Sequence, residues 1–395
     1  MSTAGAATGR APRTRVLHLG HSSAAGGAEF ALIRMLQAGA PWSPVVLVAP
    51  TSEPGVLDRI PSEVPVRVNG VRQPSGVSGG GPLLVADAAL RLVAQTIATR
   101  LHPAFRTADL VDANTTRSAA YSALAARTSR VPFVVHLRDM ADPEALGGVG
   151  AAIMRRVVLP RADGVVSDTQ ATLDSARPFL RRDARTAVIP SASGLTIGEP
   201  RPLPESPLVI GMLARIDPWK GQAQLLEAFA RALADGEARL QFAGDVFFGH
   251  EEYLDGLRRR AVELGVADRV DFLGHMDDVD GVLGTWHVAV QASTRPEPLG
   301  QNVLQYLAAG RVVIVADEGG PTEWVAHGVN GLRTTPRDVG ALADALRRVA
   351  EDEQLRARLA AAAAATPGLL DDAAVARAHA EFYADVVAHV RARRG

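Results

Sequence analysis

Two cations, Arg215 and Lys220, lie in the segment GMLARIDPWKGQAQLLEAFARAL, between an apolar run ending at Ala214 and an amphipathic run starting near Gly221. Leu225, Leu226, Phe229 and Leu233 recur there at helical spacing and make a stripe to bury. In a doubly wound domain a loop that joins a strand to a helix meets ligand at the carboxyl end of the sheet, beside unpaired helix amides. Two cations in such a loop suit a phosphate or diphosphate. They suit an ordinary solvated loop as well, and spacing alone does not choose.

A second segment, STRPEPLGQNVLQYLAAG, sets Glu297 before Pro298, Leu299 and Gly300 at the entrance of a helix. Val303, Leu304 and Leu307 would face inward, and the helix would close at Gly310. The carboxylate could cap that helix; beside a phosphate site it could instead accept hydrogen bonds from sugar hydroxyls. Gln305 falls on a similar face and can both donate and accept toward a ribose. In ADEGGPTEWVAHGVNGL, Gly319 and Gly320 follow a strand directly, where glycine lets backbone amides approach a ligand, and Glu323 opens the next helix.

The first half offers weaker signals. HLGHSSAAGGAEFALIRML is a strand, a glycine turn and a helix, with Gly26, Gly27 and Glu29 at the turn. That is an anion site or simply a tight turn, and it lacks the spacing of a dinucleotide fingerprint. FVVHLRDMAD ends a strand with His136, Arg138 and Asp139, and Asn114 follows the run ADLVDA. In AAIMRRVVLPRADG, Arg155, Arg156 and Arg161 alternate with apolar residues. Such a helix can touch lipid head groups, but more often it packs one face and solvates the other.

The elements that must carry these residues are short apolar runs alternating with amphipathic stretches. RVLHLG, PVVLVAP, VPFVVHL and DGVVSD mark strands in the first half. LVIGMLA, LQFAGD, RVDFLG, HVAVQAS and VVIVAD mark them in the second. Continuous apolar strands alternating with helices predict parallel sheets covered on both faces, that is, an α/β fold. With 395 residues, 47% of them apolar, there is material for two domains. The reading is a disordered tail 1–14, an N-terminal domain 15–197, a proline-rich linker 198–207, a C-terminal domain 208–370, and a helix 371–395 that could cross back to the first domain. The glycine-rich stretch 70–82 reads as a mobile surface loop.

In order and separation, the blocks over about 207–347 resemble the nucleotide-sugar half of retaining GT-B glycosyltransferases, in particular the glycogen-synthase-like glycosyltransferase family 4. The matching residues are Ala214-Arg215 with Lys220-Gly221, Glu297-Pro298-Leu299-Gly300 with Gln305, and Gly319-Gly320-Pro321-Thr322-Glu323. The resemblance implies two doubly wound, Rossmann-like domains facing a cleft. It implies that Arg215 and Lys220 neutralise a donor diphosphate, that Glu297 bonds donor-sugar hydroxyls, and that Gly319, Gly320, Leu299 and Gly300 help hold the donor. Gly26 and Gly27 match a turn that faces the donor phosphates in the family. His136 would be set against the transferred sugar, with Arg138, Asp139 and Asn114 lining the acceptor side. Two positions depart from the family pattern. Ala214 replaces a glycine, and Gln305 replaces the second glutamate, which removes a charge-assisted bond to ribose of roughly 1–2 kcal/mol.

Composition narrows the classes further. The absence of cysteine removes disulfides, thiolate zinc sites and cysteine nucleophiles, and fits a reducing cytosol. A net charge of −1 gives no general attraction to nucleic acid and mildly favours a small soluble acceptor, while peripheral membrane contact stays open. No apolar run is long enough to span a bilayer. No metal is expected, since Asp277-Asp278 reads as a polar turn, and no cofactor beyond the nucleotide-sugar co-substrate. The expected function is thus a cytoplasmic, retaining, metal-independent hexosyltransferase. The alternatives are an epimerase, a phosphorylase or a pseudo-glycosyltransferase of the same architecture, and a nucleotide-sugar-binding module without turnover.

Overall fold

The computed structural model describes residues 13–22, 26–51, 55–72, 82–198, 202–205, 207–246 and 249–395. Most of the tail 1–14, and residues 73–81 of the stretch read as a mobile loop, lie outside the described residues. The chain forms two compact units. One runs to Ser167 and adds Ser175–Ile189 and Ala373–Gly395; the other comprises Asp168–Asp174 and Pro190–Asp372.

The first unit holds a parallel sheet of β1 (Arg15–Gly20), β2 (Ser43–Val48), β3 (Val66–Val68), β4 (Leu110–Ala113), β5 (Phe133–Leu137), β6 (Gly164–Ser167) and β7 (Arg185–Val188). Their order is β3-β2-β1-β4-β5-β6-β7. The chain runs outward from β1 and then restarts beside it at β4, which places a topological switch point between those two strands. β4, β5 and β6 are buried throughout, whereas β7 is mostly exposed. The helix Asp372–Ala392 covers part of this sheet, and Gly164 lets it in close: a Cβ there would stand 2.7 Å from Val386 and 3.1 Å from Phe382.

The second unit repeats the plan with β8 (Val209–Leu213), β9 (Arg239–Ala243), β10 (Val270–Gly274), β11 (Val288–Gln291), β12 (Val312–Ala316) and β13 (Leu332–Thr334). The order β10-β9-β8-β11-β12-β13 puts its switch point between β8 and β11. The two-residue period of a strand splits the interior cleanly. Val312 and Ile314 enter one core with Leu225, Phe229 and Leu346, while Val313 and Val315 enter the other with Trp286, Tyr306 and Leu307. The proline-rich stretch belongs to this unit; its Pro202 carbonyl accepts from the fully buried Arg311. Each apolar run read above as a strand holds one, and the fold is the expected pair of doubly wound α/β domains. Among the described residues, no helix is long and apolar enough to cross a membrane.

The basic segment 151–164 packs one face inward and leaves Arg156 exposed. Met154, Val158 and Leu159 are buried, Arg155 donates to the Ala141 carbonyl at 2.6 Å, and Arg161 pairs with Asp163 at 2.8 Å. Asp278 likewise has a structural task, capping the helix Val279–Gly284 through the Gly281 amide at 2.8 Å.

Candidate functional site

In the second unit the loop after β8 and the loop after β11 meet at the switch point. Lys220 Nζ lies 2.8 Å from both oxygens of Glu297, and Ser293 Oγ donates to Glu297 Oε2 at 2.9 Å. Glu297 therefore does not cap the following helix. That helix, Gln301–Ala308, starts from Gly300 at φ +76° with no side-chain cap. Both partners are mostly shielded, at 17% and 13% exposure, so their attraction is screened less than that of a surface pair. Arg215 sits on the rim at 38% exposure, 3.2 Å from Asp217.

Close backbone packing sets this geometry. Gly221 adopts φ +83°, and a Cβ there would fall 1.9 Å from the Ala292 carbonyl oxygen. Only glycine lets the Lys220 turn lie against the end of β11, where the Thr294 amide bonds the Trp219 carbonyl at 2.8 Å. Gly319 and Gly320 act similarly on the other side. Added Cβ atoms would come within 2.5 Å of the Glu297 carbonyl and 2.3 Å of the Pro298 carbonyl, and the Gly320 amide donates to Glu297 O at 2.7 Å. These glycines thus first bring two loops together and fix the backbone under Glu297. The expectation that their amides are spare for a ligand does not hold at Gly320.

Other expected residues sit differently. The Leu299 side chain is buried against Leu195 and Leu304, which leaves only its backbone toward the loop. Gln305 donates through Nε2 to the Ser193 carbonyl at 2.8 Å, holding the segment 193–198 beside a small cavity that it shares with Thr196 and Asp280. Glu323 accepts the Gln170 and Ala171 amides at 2.9 and 2.8 Å and so caps the helix Gln170–Ala176. Sequence reasoning missed Ser293 and Trp219. Lys220 Nζ lies 3.9 Å from the Trp219 ring centre, and the Arg295 and Arg215 guanidinium carbons lie 4.1 and 5.9 Å from it. A tryptophan beside the cation of a lysine-glycine turn was the available signal.

In the first unit, Gly26, Asn114, Arg138 and His136 come together at the β1/β4 switch point. Gly26 starts the helix Gly27–Gln37, and Glu29 lies in its first turn with its carboxyl raised by burial. Asn114 Nδ2 donates to the Ala28 carbonyl at 3.0 Å. Arg138 holds Asn114 twice, at 3.1 Å to its carbonyl and 2.9 Å to Oδ1, and reaches His136 Nδ1 at 3.2 Å. Asp139 is half-buried beside them. A capping box of Thr115 and Ser118 starts the next helix and fixes Asn114 at the strand end.

His136 differs most from expectation. Its ring is only 3% exposed, and both nitrogens are engaged. A guanidinium only donates, so Nδ1 must accept, and the ring proton sits on Nε2, 3.0 Å from Asp112 Oδ1. On the other oxygen, His18 Nδ1 lies at 2.8 Å, and Trp42 donates to His18 Nε2 at 2.9 Å. An indole only donates, so His18 is also neutral and gives its proton to Asp112. The Tyr383 hydroxyl lies 3.4 Å from His136 Nε2. Burial pushes the Asp112 carboxyl up, but the His136 and His18 donors outweigh it and hold it well below the usual carboxylate range. The His136 ring therefore has no nitrogen left to place against a sugar; what it does is orient Arg138. Asp112, His18 and Tyr383 escaped sequence reasoning, although Asp112 and His18, polar residues inside apolar strands, were visible anomalies; Tyr383, on the last helix, carried no such signal.

His379 stacks on His136 with ring centres 5.0 Å apart and is pushed down to about 3, by burial and then by His136. His21 is pushed down to about 4 by burial and by Arg117. In the unfolded chain both protonate near 6.5, so between these values the unfolded state binds more protons and acid favours unfolding. The melting temperature should fall as pH drops from about 6.5 toward 4, and His379→Phe should flatten part of the fall. An unchanged slope in that variant would contradict the buried neutral imidazole.

Comparison with known proteins comes to the same architecture. Residues 196–366 match the family described as glycosyl transferases group 1, and residues 10–192 match the glycosyl transferase 4-like domain. The chain is 34% identical over 163 residues to the lipopolysaccharide core biosynthesis glycosyltransferase LpsE of Rhizobium meliloti, covering 40% of this chain and 43% of that protein. It is 33% identical over 170 residues to a GDP-mannose-dependent alpha-(1-6)-phosphatidylinositol monomannoside mannosyltransferase of Mycobacterium tuberculosis, covering 40% and 42%. The matched region thus spans less than half the length of these curated relatives. The solved structure of Anabaena Alr3699/HepE in complex with UDP superposes with a TM-score of 0.76 at 26% identity, covering 94% of this chain and all of that one. With the two domain matches together spanning most of the sequence, the chain belongs to the group 1, glycosyltransferase-4-like family of GT-B glycosyltransferases.

Proposed function

We propose that the protein moves a hexose-type sugar from a nucleoside-diphosphate sugar to an acceptor hydroxyl, with retention of configuration and without a metal. The observation that carries this reading is the shielded Lys220–Glu297 pair at the β8/β11 switch point, with Arg215 on its rim. The donor diphosphate competes with Glu297 for Lys220, and Arg215 adds a second cation. The carboxylate oxygens so relieved then accept hydroxyls of the donor sugar. As the glycosidic bond breaks, negative charge grows on the departing phosphate oxygen, and fixed cations there stabilise it without reorganisation. That phosphate takes the acceptor proton, so no side-chain base is needed and a fully engaged His136 is no obstacle. In the first unit, Arg138, Asn114 and Asp139 serve the acceptor side.

UDP in the Anabaena structure supports a uridine donor, while the name of the mycobacterial relative makes a guanosine donor the comparison arm. The test is a panel of UDP- and GDP-sugars, read by nucleotide release and by mass spectrometry and NMR of the product. Turnover with one donor, an unchanged anomeric configuration and indifference to chelator are expected. Affinity without turnover would mean a binding module. An inverted product, or activity lost to chelator and restored by manganese, would refute the retaining or the metal-independent part.

A further inference from the structure

The amino ends of β4 and β5, in the first unit, border a cavity of about 500 Å³ that Arg100, Arg106, Arg130, Arg391 and Arg394 line, with Asp109 as the one acidic residue. Asn114 and Arg138 follow the carboxyl ends of the same two strands. At about 3.3 Å per residue, the strands separate the cavity from those residues by on the order of 13–17 Å. It is therefore not part of the candidate site.

Arginines at helix ends often do no more than offset the helix dipole, and three long helices, Pro82–Leu101, Thr116–Arg127 and Asp372–Ala392, end here. Two of the five arginines do bond backbone carbonyls here, one at a helix end and one in the loop after it. Arg100 donates to Thr128 O at 3.3 Å, and Arg394 donates to Arg130 O. Magnitude decides against that explanation for the whole set. Each helix end supplies about half a negative charge, and Asp109 is already engaged by the Arg15 amide at 2.9 Å. Even with Asp109 counted, the cavity keeps an excess of about two to three positive charges in a chain whose overall charge is −1. The side chains of Arg106, Arg130 and Arg391 are exposed and make no hydrogen bond or ion pair among the described residues. Arg100 stands over the Phe105 ring, 5.7 Å from its centre, which stiffens one wall.

We propose that this cavity is a second anion site, for a phosphate-bearing ligand of about two negative charges. Guanidinium forks match phosphate oxygens two at a time, and the cavity volume admits a phosphorylated small molecule or a lipid head group. The test uses pyrophosphate in titration calorimetry, and cosedimentation with phosphatidylglycerol against phosphatidylcholine vesicles. Binding is expected to survive Arg215→Ala/Lys220→Ala, which silences the candidate donor site, and, in that background, to weaken at least tenfold when Arg106→Ala/Arg130→Ala/Arg391→Ala is added. That triple variant removes no bond among the described residues, so its melting temperature should match the wild type. Loss of pyrophosphate binding in the triple variant assigns a soluble ligand, and loss of phosphatidylglycerol binding assigns a head group. If neither probe binds, or if the triple variant binds both as the wild type does, the proposal fails.

Discussion

Lys220→Ala should lower sugar transfer by on the order of a hundredfold to a thousandfold, the usual cost of removing one well-placed charge-stabilising group. The fall should appear in kcat more than in KM, because the charge Lys220 faces is larger in the transition state than in the bound donor. The fold should survive. The helix Gln222–Ala232 is anchored by the buried Leu225, Leu226 and Phe229, and Gly221 still permits the turn. Lys220→Arg should not rescue activity, since a planar fork cannot occupy the compact position between Glu297 and the Trp219 ring. Glu297→Gln is the complementary variant. It leaves Lys220 without its counter-charge, so pyrophosphate should compete with the donor more strongly while turnover falls. Near-normal transfer by both Lys220→Ala and Arg215→Ala, with circular dichroism unchanged, would remove this site from the mechanism.

The second large effect is on stability. Asp112→Ala strips a fully buried carboxylate from His18 and His136 together. Each buried donor left without an acceptor costs about 1–3 kcal/mol, and breaking a buried charge network costs about 3–5 kcal/mol in all. Against a domain stability of about 5–15 kcal/mol, that is a large fraction. Urea unfolding should show a midpoint well below the wild type. Asp112→Asn keeps one acceptor oxygen and should lose about half as much. The depressed Asp112 carboxyl contributes above the unfolded carboxylate range and is lost only as pH falls through its much lower folded value. It therefore adds little to the slope above about pH 5, where the buried histidines act. Because Asp112 sets the proton on His136, and His136 orients Arg138, transfer should fall in Asp112→Asn even at temperatures where it stays folded. Wild-type activity and an unshifted midpoint in that variant would show that the network is incidental.

The elements were legible where hydrophobic burial on two faces leaves a continuous apolar run, as in VVIVA of β12 or FVV of β5. Edge strands were not. β3, at three residues, and β7, mostly exposed, have no covered face to demand such a run, and only their neighbours define them. Lys220 and Glu297 could be picked out because a strand-to-loop-to-helix pattern marks where a carboxyl end must be. Their mutual distance could not, since they stand 77 positions apart in the chain. His136 shows the converse. Its position at a strand end was right, but Asp112, which fixes its tautomer with Arg138, comes from β4, and the rest of the buried cluster comes from β1 and the last helix.

By itself, then, the sequence determined the two α/β sheets, the helix stripes and the loops that carry Arg215, Lys220, Glu297 and the paired glycines. Those features follow from local period, turn chemistry and burial, which each segment encodes within its own length. Only the tertiary structure decided that Glu297 faces Lys220 and caps no helix, that Gly319 and Gly320 serve the backbone beneath Glu297, and that His136 belongs to a buried relay centred on Asp112. Each of these turns on which groups share space across distant strands. A buried donor or acceptor takes whatever partner lies within about 3 Å, and no spacing along the chain specifies that partner.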